Sequence, residues 1–126
     1  MEATRTPRLA PYLVVPNARE LVRFVEQALG GTLSFEMEGS EGRLEHGELR
    51  IADSLVMVAD APPGRAPFPA MLHLYVSDAQ ASYRRAIAGG ATSVREPAMA
   101  PDGHLRGGVR DSWGNEWWFS TPRGGL

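Results

Sequence analysis

The sequence predicts an α+β fold in which two tandem βαβββ modules form a curved mixed sheet around a cavity. Two segments share one order of features: an apolar strand, an amphipathic helix, a Gly-Gly pair and three further strands. Corresponding positions keep a nearly constant spacing, since Asn17 and Asp78 are 61 positions apart and Gly31 and Gly90 are 59 apart. Such self-similarity indicates one structural unit used twice.

The two modules are expected at about residues 9–60 and 70–121, within a single domain that covers residues 1–126. The connector between them, residues 61–69, reads APPGRAPFP, and its prolines and glycine are typical of a loop. A chain of 126 residues with 43% hydrophobic residues is long enough for one domain with a core and too short for two large ones.

The first helix follows a short apolar strand, LVV. Its apolar face is formed by residues that recur at helical spacing, namely Val22, Val25 and Leu29. Asn17 and Glu20 stand three positions apart at its start, which predicts a capping box. The helix is therefore expected to begin just after Asn17.

The second helix repeats this pattern in a shorter form. Its apolar face contains Ala79, Tyr83 and Ala86. Ser77 and Gln80 have the spacing of a second capping box. The second module is therefore expected to enter its helix in the same way as the first.

Strands follow each helix. Gly30 and Gly89 stand where left-handed C-caps are expected. The predicted strands of the first half are TLSFEME, GRLEHGELRI and LVMVAD, and those of the second half are ATSVRE, HLRGGVRD and EWWFST. The turns between them, EGSEG, PDG and DSWGN, are rich in turn-forming residues. Each half is thus a βαβββ unit.

Two such units joined by a Pro-rich connector resemble the vicinal oxygen chelate superfamily, which includes glyoxalase I, the bleomycin-resistance proteins and the extradiol dioxygenases. The resemblance extends from about Leu9 to Thr121. It is carried by the segments PYLVVPNARELVRFVEQALGG, HGELRIADSLVMVAD, HLYVSDA, AGGA and VRDSWGNEWWFS. This distributed pattern is specific for the fold and says little about the reaction.

The resemblance also locates the four positions at which metal-dependent members hold their ion, on the first and fourth strands of each unit. In this chain they carry Ala10, Met57, Met71 and Trp118. A methyl group cannot coordinate a metal, and a thioether suits copper(I) better than the divalent ions of this superfamily. The resemblance therefore implies neither a metal nor another cofactor.

A histidine within a strand, in the segment MLHLYVSD, raises the question of what it does. Alternation puts His73 on the concave face with Met71 and Tyr75. The same rule directs Leu44, His46, Glu48 and Arg50 to the cavity, with Arg106 and Arg110 at corresponding places in the second half. The predicted ligand-binding residues are His73, Trp118, Tyr75, Met71, His46, Glu48, Arg50, Met57 and Arg110.

Three interpretations of these residues stay open. The first is a metal-independent protein that binds, and thereby sequesters, a planar or aromatic small molecule, as the bleomycin-resistance branch implies, with His73 paired to Glu48. The second is a metal-dependent lyase, isomerase or glutathione transferase with relocated ligands His46, Glu48 and His73. The third treats His73 and Trp118 as parts of the scaffold, as Trp117 is expected to be. The sequence leaves open whether the protein is an enzyme.

Composition restricts the partners. A net charge of −2 without basic runs argues against nucleic acid, and no apolar stretch has the length of a bilayer crossing. The N-terminus lacks an apolar signal region and the chain has no cysteine, so a cytoplasmic location is expected. We expect a homodimer through Trp113 and the connector around Phe68. His104 is interpreted as a solvated turn residue, and Asp111 and Asn115 as turn formers.

Overall fold

A computed structural model describes residues 7–126 of the chain. The first module contains β1 (Tyr12–Val15), α1 (Ala18–Ala28), β2 (Thr32–Glu38), a 3-10 turn (Ser40–Gly42), β3 (Leu44–Ile51) and β4 (Ser54–Asp60). The second contains β5 (Met71–Tyr75), α2 (Ala79–Ala88), β6 (Thr92–Met99), β7 (Leu105–Arg110) and β8 (Glu116–Thr121). Neither helix in this part of the chain has the length and apolarity needed to span a membrane.

Each module forms its own four-stranded sheet, with the orders β1-β4-β3-β2 and β5-β8-β7-β6. The first strand of each sheet runs parallel to the last strand of its module, and the other pairs are antiparallel. The predicted α+β class and the βαβββ order are confirmed. The mixed sheet is divided into two, one per module.

Buried side chains of both modules form one apolar cluster. Leu21 and Val25 of α1 are fully buried, as are Trp117 and Phe119 of β8. Trp117 is therefore structural, as expected. Trp113 packs against the same cluster and its Nε1 donates a hydrogen bond to the Pro16 carbonyl at 2.7 Å. It connects the two modules within one chain, and its part in a dimer stays a prediction.

The helix starts differ from the predicted capping boxes. Asn17 adopts a left-handed conformation with φ 54° and its side chain makes no capping bond; instead Asp60 Oδ1, at the end of β4, accepts from the Ala18 N–H at 2.8 Å. In the second module Asp78, rather than Ser77, is the N-cap and accepts from the Ala81 N–H. Both predicted boxes are therefore wrong, because Asn17 lacks the extended backbone of an N-cap and Asp78 takes the capping position expected of Ser77.

Two further predictions about local structure need correction. Gly30 is left-handed as expected, but Gly89 has φ −80° and the left-handed residue after α2 is Gly90, with φ 110°. Leu44 does not face the cavity: it is fully buried in the core. A register shift in the pairing of β2 with β3, between Met37 and Glu38, interrupts the alternation that would have directed Leu44 outward.

Candidate functional site

The concave face of the second sheet presents a tryptophan lying flat on a glycine. Trp118 of β8 pairs in register with Gly108 of β7 and with His73 of β5. A Cβ added to Gly108 would lie 2.6–2.8 Å from three adjacent carbons of the indole, Cδ2, Cε2 and Cε3. Near-equal distances to three fused-ring atoms place Gly108 beneath the ring face. One indole face rests on the strand, and the other is turned away from the sheet.

Polar neighbours fix the orientation of this indole. Trp118 Nε1 donates to Glu116 Oε1 at 3.0 Å, and Arg110 Nη2 donates to Glu116 Oε2 at 2.7 Å. These two hydrogen bonds, that of Trp118 first, lower the pKa of the Glu116 carboxyl. The half-buried Trp118 is held both by its contact with Gly108 and by the hydrogen bond from its N–H to Glu116. Arg110, predicted as a ligand-binding residue, here holds the carboxylate that anchors the indole.

His73 is bonded to Ser120 and not to Glu48, its expected partner. His73 Nε2 lies 2.8 Å from Ser120 Oγ, and Arg106 Nε donates to the same oxygen at 2.7 Å. A guanidinium only donates, so the Ser120 hydroxyl accepts from Arg106. Ser120 is fully buried and its hydroxyl has no third partner among the described residues, so we assign its own proton to the bond with His73 Nε2. The ring proton therefore sits on Nδ1. No hydrogen bond within residues 7–126 uses that N–H, which is free for a ligand.

Burial and the charges around His73 lower the pKa of its imidazole. Burial, followed by the Arg106 guanidinium, lowers the His73 pKa below 6.5, and His104 acts in the same direction, while Asp102 opposes it. Asp102 accepts from Arg106 Nη2 at 2.7 Å, and this bond does most to lower the pKa of Asp102 to about 2. At neutral pH the second sheet thus offers a neutral imidazole beside a paired arginine.

His104 is less exposed than a solvated turn residue would be. Its Nδ1 is buried and has no hydrogen-bond partner among the described residues. The Tyr75 ring lies close to both imidazoles, with its centroid 5.0 Å from that of His73 and 6.2 Å from that of His104. By contrast, Asp111 and Asn115 are turn formers as predicted, since Asp111 accepts from two backbone N–H groups of the turn.

The first sheet carries a different cluster on its concave face. Tyr12 Oη lies 2.9 Å from His46 Nδ1, and His46 Nε2 lies 3.1 Å from Glu48 Oε2. Burial and the Glu45 carboxylate, in that order, raise the Tyr12 pKa above 10.0. His46 and Glu48 were predicted to share this face. Tyr12 was missed, because the resemblance placed the functional position of β1 at Ala10.

The repeat relates the two clusters. Tyr12 pairs with Met57 across β1 and β4, and His73 pairs with Trp118 across β5 and β8. Both members of the second pair stand 61 positions after their counterparts (73 − 12 and 118 − 57). This is the spacing already seen between Asn17 and Asp78. Position 12 lies 61 residues before His73, so the repeat spacing could have identified Tyr12.

A cavity of about 600 Å³ lies between the β3–β4 hairpin and β5. Three predicted residues line it, Arg50, Met71 and His73. The remaining predicted residues lie elsewhere: Trp118, Tyr75 and Arg110 belong to the second sheet, and His46, Glu48 and Met57 to the first. The structure therefore divides the predicted set between two sheets.

The side chains at the metal positions implied by the fold do not fit a divalent ion. Met57 and Met71 offer thioethers, Ala10 offers no donor, and the Trp118 N–H is bonded to Glu116. Within residues 7–126 no three His, Cys, Asp or Glu side chains are arranged to hold an ion. The relocated set of His46, Glu48 and His73 is therefore not assembled as a metal site in this part of the chain.

Comparison with known proteins agrees with this architecture. Residues 7–119 match the family model described as the Glyoxalase/Bleomycin resistance protein/Dioxygenase superfamily. Uncharacterized proteins of Mycobacterium bovis and Mycobacterium tuberculosis are 31% identical over 127 residues, which is 92% of this chain and 84% and 75% of theirs.

Solved structures show the same fold. TioX from Micromonospora sp. ML1 superposes with a TM-score of 0.77 at 21% identity, covering 91% of this chain and 98% of TioX. An Arabidopsis thaliana gene product gives a TM-score of 0.75 at 25% identity, covering 92% and 99%. A glyoxalase-related enzyme from Fulvimarina pelagi gives 0.72 at 19% identity, covering 91% and 88%.

Proposed function

Because the chain belongs to the Glyoxalase/Bleomycin resistance protein/Dioxygenase superfamily, we propose that it binds a small planar aromatic compound, without a metal ion, on the concave face of its second sheet. The observation that carries this proposal is the Trp118 indole, seated face-down on Gly108 and fixed through Glu116. An aromatic ring held in this way offers its other face for offset stacking, the arrangement that aromatic pairs prefer.

His73 supplies the polar contact in this proposal. It is the cross-strand neighbour of Trp118 and presents an unused Nδ1–H. A ligand stacked on Trp118 would place a carbonyl or carboxylate oxygen against this donor. The few polar groups of a small-molecule site serve to orient a ligand that apolar surface holds. We therefore infer that the ligand combines a flat ring with a hydrogen-bond acceptor.

The test uses 4-nitrobenzoate, which is planar, carries a carboxylate and quenches tryptophan fluorescence on stacking. We expect saturable quenching that Trp118→Leu removes and Trp113→Phe preserves. Cyclohexanecarboxylate, which presents the same carboxylate on a puckered ring, should fail to displace it. His73→Phe keeps a flat ring but loses the donor, and should weaken binding by about 1–3 kcal/mol. Treatment with EDTA should leave the affinity unchanged.

Either of two results would reject this proposal. Quenching that survives Trp118→Leu would move the ligand away from the second sheet. Affinity that is lost in EDTA and restored by a divalent ion would instead support a metal-dependent member of the superfamily.

We also infer that two copies of the chain pair through their concave faces. β1 hydrogen-bonds only to β4, and β5 only to β8, so each sheet of the described chain has a first strand with an unpaired edge. Large apolar side chains are exposed on and beside the sheets, among them Phe35, Met37, Met71 (70%), Tyr75 (53%) and Phe68 (79%). Monomers rarely leave such surfaces uncovered. A second copy of the chain would cover them and close the cavity beside β5.

A further inference from the structure

A second group of proton-transfer side chains lies on the first sheet, away from Trp118 and His73. Tyr12, His46 and Glu48 form a continuous chain of hydrogen bonds, with distances of 2.9 Å from Tyr12 Oη to His46 Nδ1 and 3.1 Å from His46 Nε2 to Glu48 Oε2. A hydroxyl, a base within hydrogen-bond reach and a third group that orients the base are the arrangement of an activated nucleophile.

The partners of His46 determine where its proton sits. The Glu48 carboxylate only accepts hydrogen bonds, so Nε2 carries the proton and Nδ1 accepts from the Tyr12 hydroxyl. Burial and Glu45 raise the Tyr12 pKa, so the side chain is a phenol and not a phenolate at neutral pH. To react as a nucleophile, Tyr12 therefore needs a base that removes its proton as the new bond forms. His46 Nδ1 is placed to do this.

Tyr12 also lines a cavity of about 430 Å³ between the first sheet and the connector. Arg43 and Arg65 line the same cavity, together with Glu45 and Asp60. Two positive and two negative side chains leave no net charge, which favours a neutral occupant. The arginines provide positive charge that would stabilise an oxyanion forming beside Tyr12.

We propose that Tyr12 is a nucleophile that takes the acyl group from small neutral esters and passes it to water, with His46 as general base and Glu48 as a positioning residue. Tyr12 Oη attacks the acyl carbon while its proton moves to His46 Nδ1. The ester C–O bond then breaks, and the leaving alkoxide receives that proton. Water next attacks the tyrosyl ester while His46 accepts a proton from it. The bond between the acyl carbon and Tyr12 Oη then breaks, His46 returns the proton to Tyr12 Oη, and the carboxylic acid leaves.

The probe is p-nitrophenyl acetate, whose p-nitrophenolate release is read by absorbance. We expect release to continue beyond one equivalent per chain, and peptide mass spectrometry on quenched samples to find acetyl on Tyr12. The other two tyrosines are internal controls. Tyr75 is more exposed than Tyr12, 53% against 43%, and its ring lies beside His73 without a hydrogen bond to it, whereas Tyr83 bonds to Ser93. Tyr12 should react about 100-fold faster than either.

Variants separate this reaction from surface chemistry. Tyr12→Phe should abolish release above background, and Tyr83→Phe, on α2, should leave it unchanged. His46→Asn should slow acetylation of Tyr12 about 100-fold. Glu48→Gln should slow it less and shift the His46 proton from Nε2 towards Nδ1, a change that ¹⁵N chemical shifts of the ring report. Circular dichroism confirms that each variant is folded.

Three results would overturn the proposal. Acetyl appearing on Tyr75 before Tyr12 would mean that exposure alone sets reactivity. Acetyl on an imidazole nitrogen would make a histidine the nucleophile. A burst of one equivalent without recycling would rule out transfer to water.

Discussion

Two small residues determine how the second sheet presents its larger ones. Gly108 lets the Trp118 indole lie flat, because any Cβ at that position would enter the ring face. Ser120 is fully buried and joins Arg106 to His73 through a single hydroxyl. Neither residue carries a sequence signal of its own, since each acts through a neighbour on an adjacent strand.

Gly108→Ala tests the contact between Gly108 and the indole of Trp118. The new methyl group would lie 2.6 Å from a ring carbon, so Trp118 must move. We expect a loss of about 1–3 kcal/mol in the free energy of unfolding, as for other overpacked sites, measured by urea denaturation. The control is a double-mutant cycle: on a Trp118→Leu background Gly108→Ala should cost clearly less. Equal costs on both backgrounds would mean that the contact with Trp118 is not the cause.

Arg106→Gln tests the charge around His73. Removing the guanidinium leaves Asp102, which favours the imidazolium, so the His73 pKa should rise. An NMR titration of the imidazole measures this change, and Arg110→Gln should leave the His73 pKa as it was. In the parent protein the folded pKa lies below 6.5, so the contribution of His73 to stability is present above about pH 6.5 and is lost as the pH falls through the folded value.

At the scale of the element, the last strand of each module caps its helix. Asp60 Oδ1 accepts from the Ala18 N–H at the start of α1, and Thr121 Oγ1 accepts from the Ala79 N–H at the start of α2, each at 2.8 Å. Both contacts join residues 42 positions apart in the chain. In both modules the same type of contact thus joins the helix to the last strand of its own module.

Asp60→Ala should therefore destabilise the protein more than a change at Asn17, the residue that the sequence suggested as the cap of α1. Asp60 also accepts from the Leu44 N–H through Oδ2 at 2.7 Å, so two backbone donors would lose a carboxylate. We expect a loss of about 2 kcal/mol in the free energy of unfolding. Asn17→Gly is the matched control and should be close to neutral, because Asn17 is left-handed and makes no capping bond. A larger effect at Asn17 would contradict this assignment.

At the scale of the whole molecule, two sheets share one core but expose separate concave faces. Apolar residues remain accessible on and around both faces, and β1 and β5 each have an unpaired edge within the described chain. A closed two-fold dimer would cover both features at once, because a two-fold axis brings the same surface patch of the two copies together.

Light scattering at micromolar concentration should give twice the chain mass. Met71→Glu places a charge on the exposed edge strand β5 and should shift the protein towards the monomer. Ile87→Glu, on an exposed position of α2, should leave the dimer intact. A monomer at all concentrations would contradict the proposed dimer. Equal effects of Met71→Glu and Ile87→Glu would mean that β5 does not lie in the dimer interface.

Much of the fold was predictable because its signals are local and repeated. The Gly-Gly pairs, the periodicity of both helices and the connector yielded the βαβββ order. The predicted site is less accurate. Alternation correctly placed His46 and Glu48 together. It wrongly assigned Leu44 to the cavity, because the register shift between β2 and β3 interrupts the alternation there. The sequence also suggested Glu48 as the hydrogen-bond partner of His73, although those residues belong to different sheets.

The sequence by itself determined the two modules, their elements and the family resemblance, because strand alternation, helical periodicity and turn chemistry act over a few neighbouring residues. Only the tertiary structure decided that Ser120 bonds His73, that Asp60 caps α1, that Tyr12 meets His46 and that Trp118 rests on Gly108. Each of these contacts joins different strands, or a strand to a helix. Strand register and sheet assignment, which no local pattern specifies, therefore determine which polar groups meet.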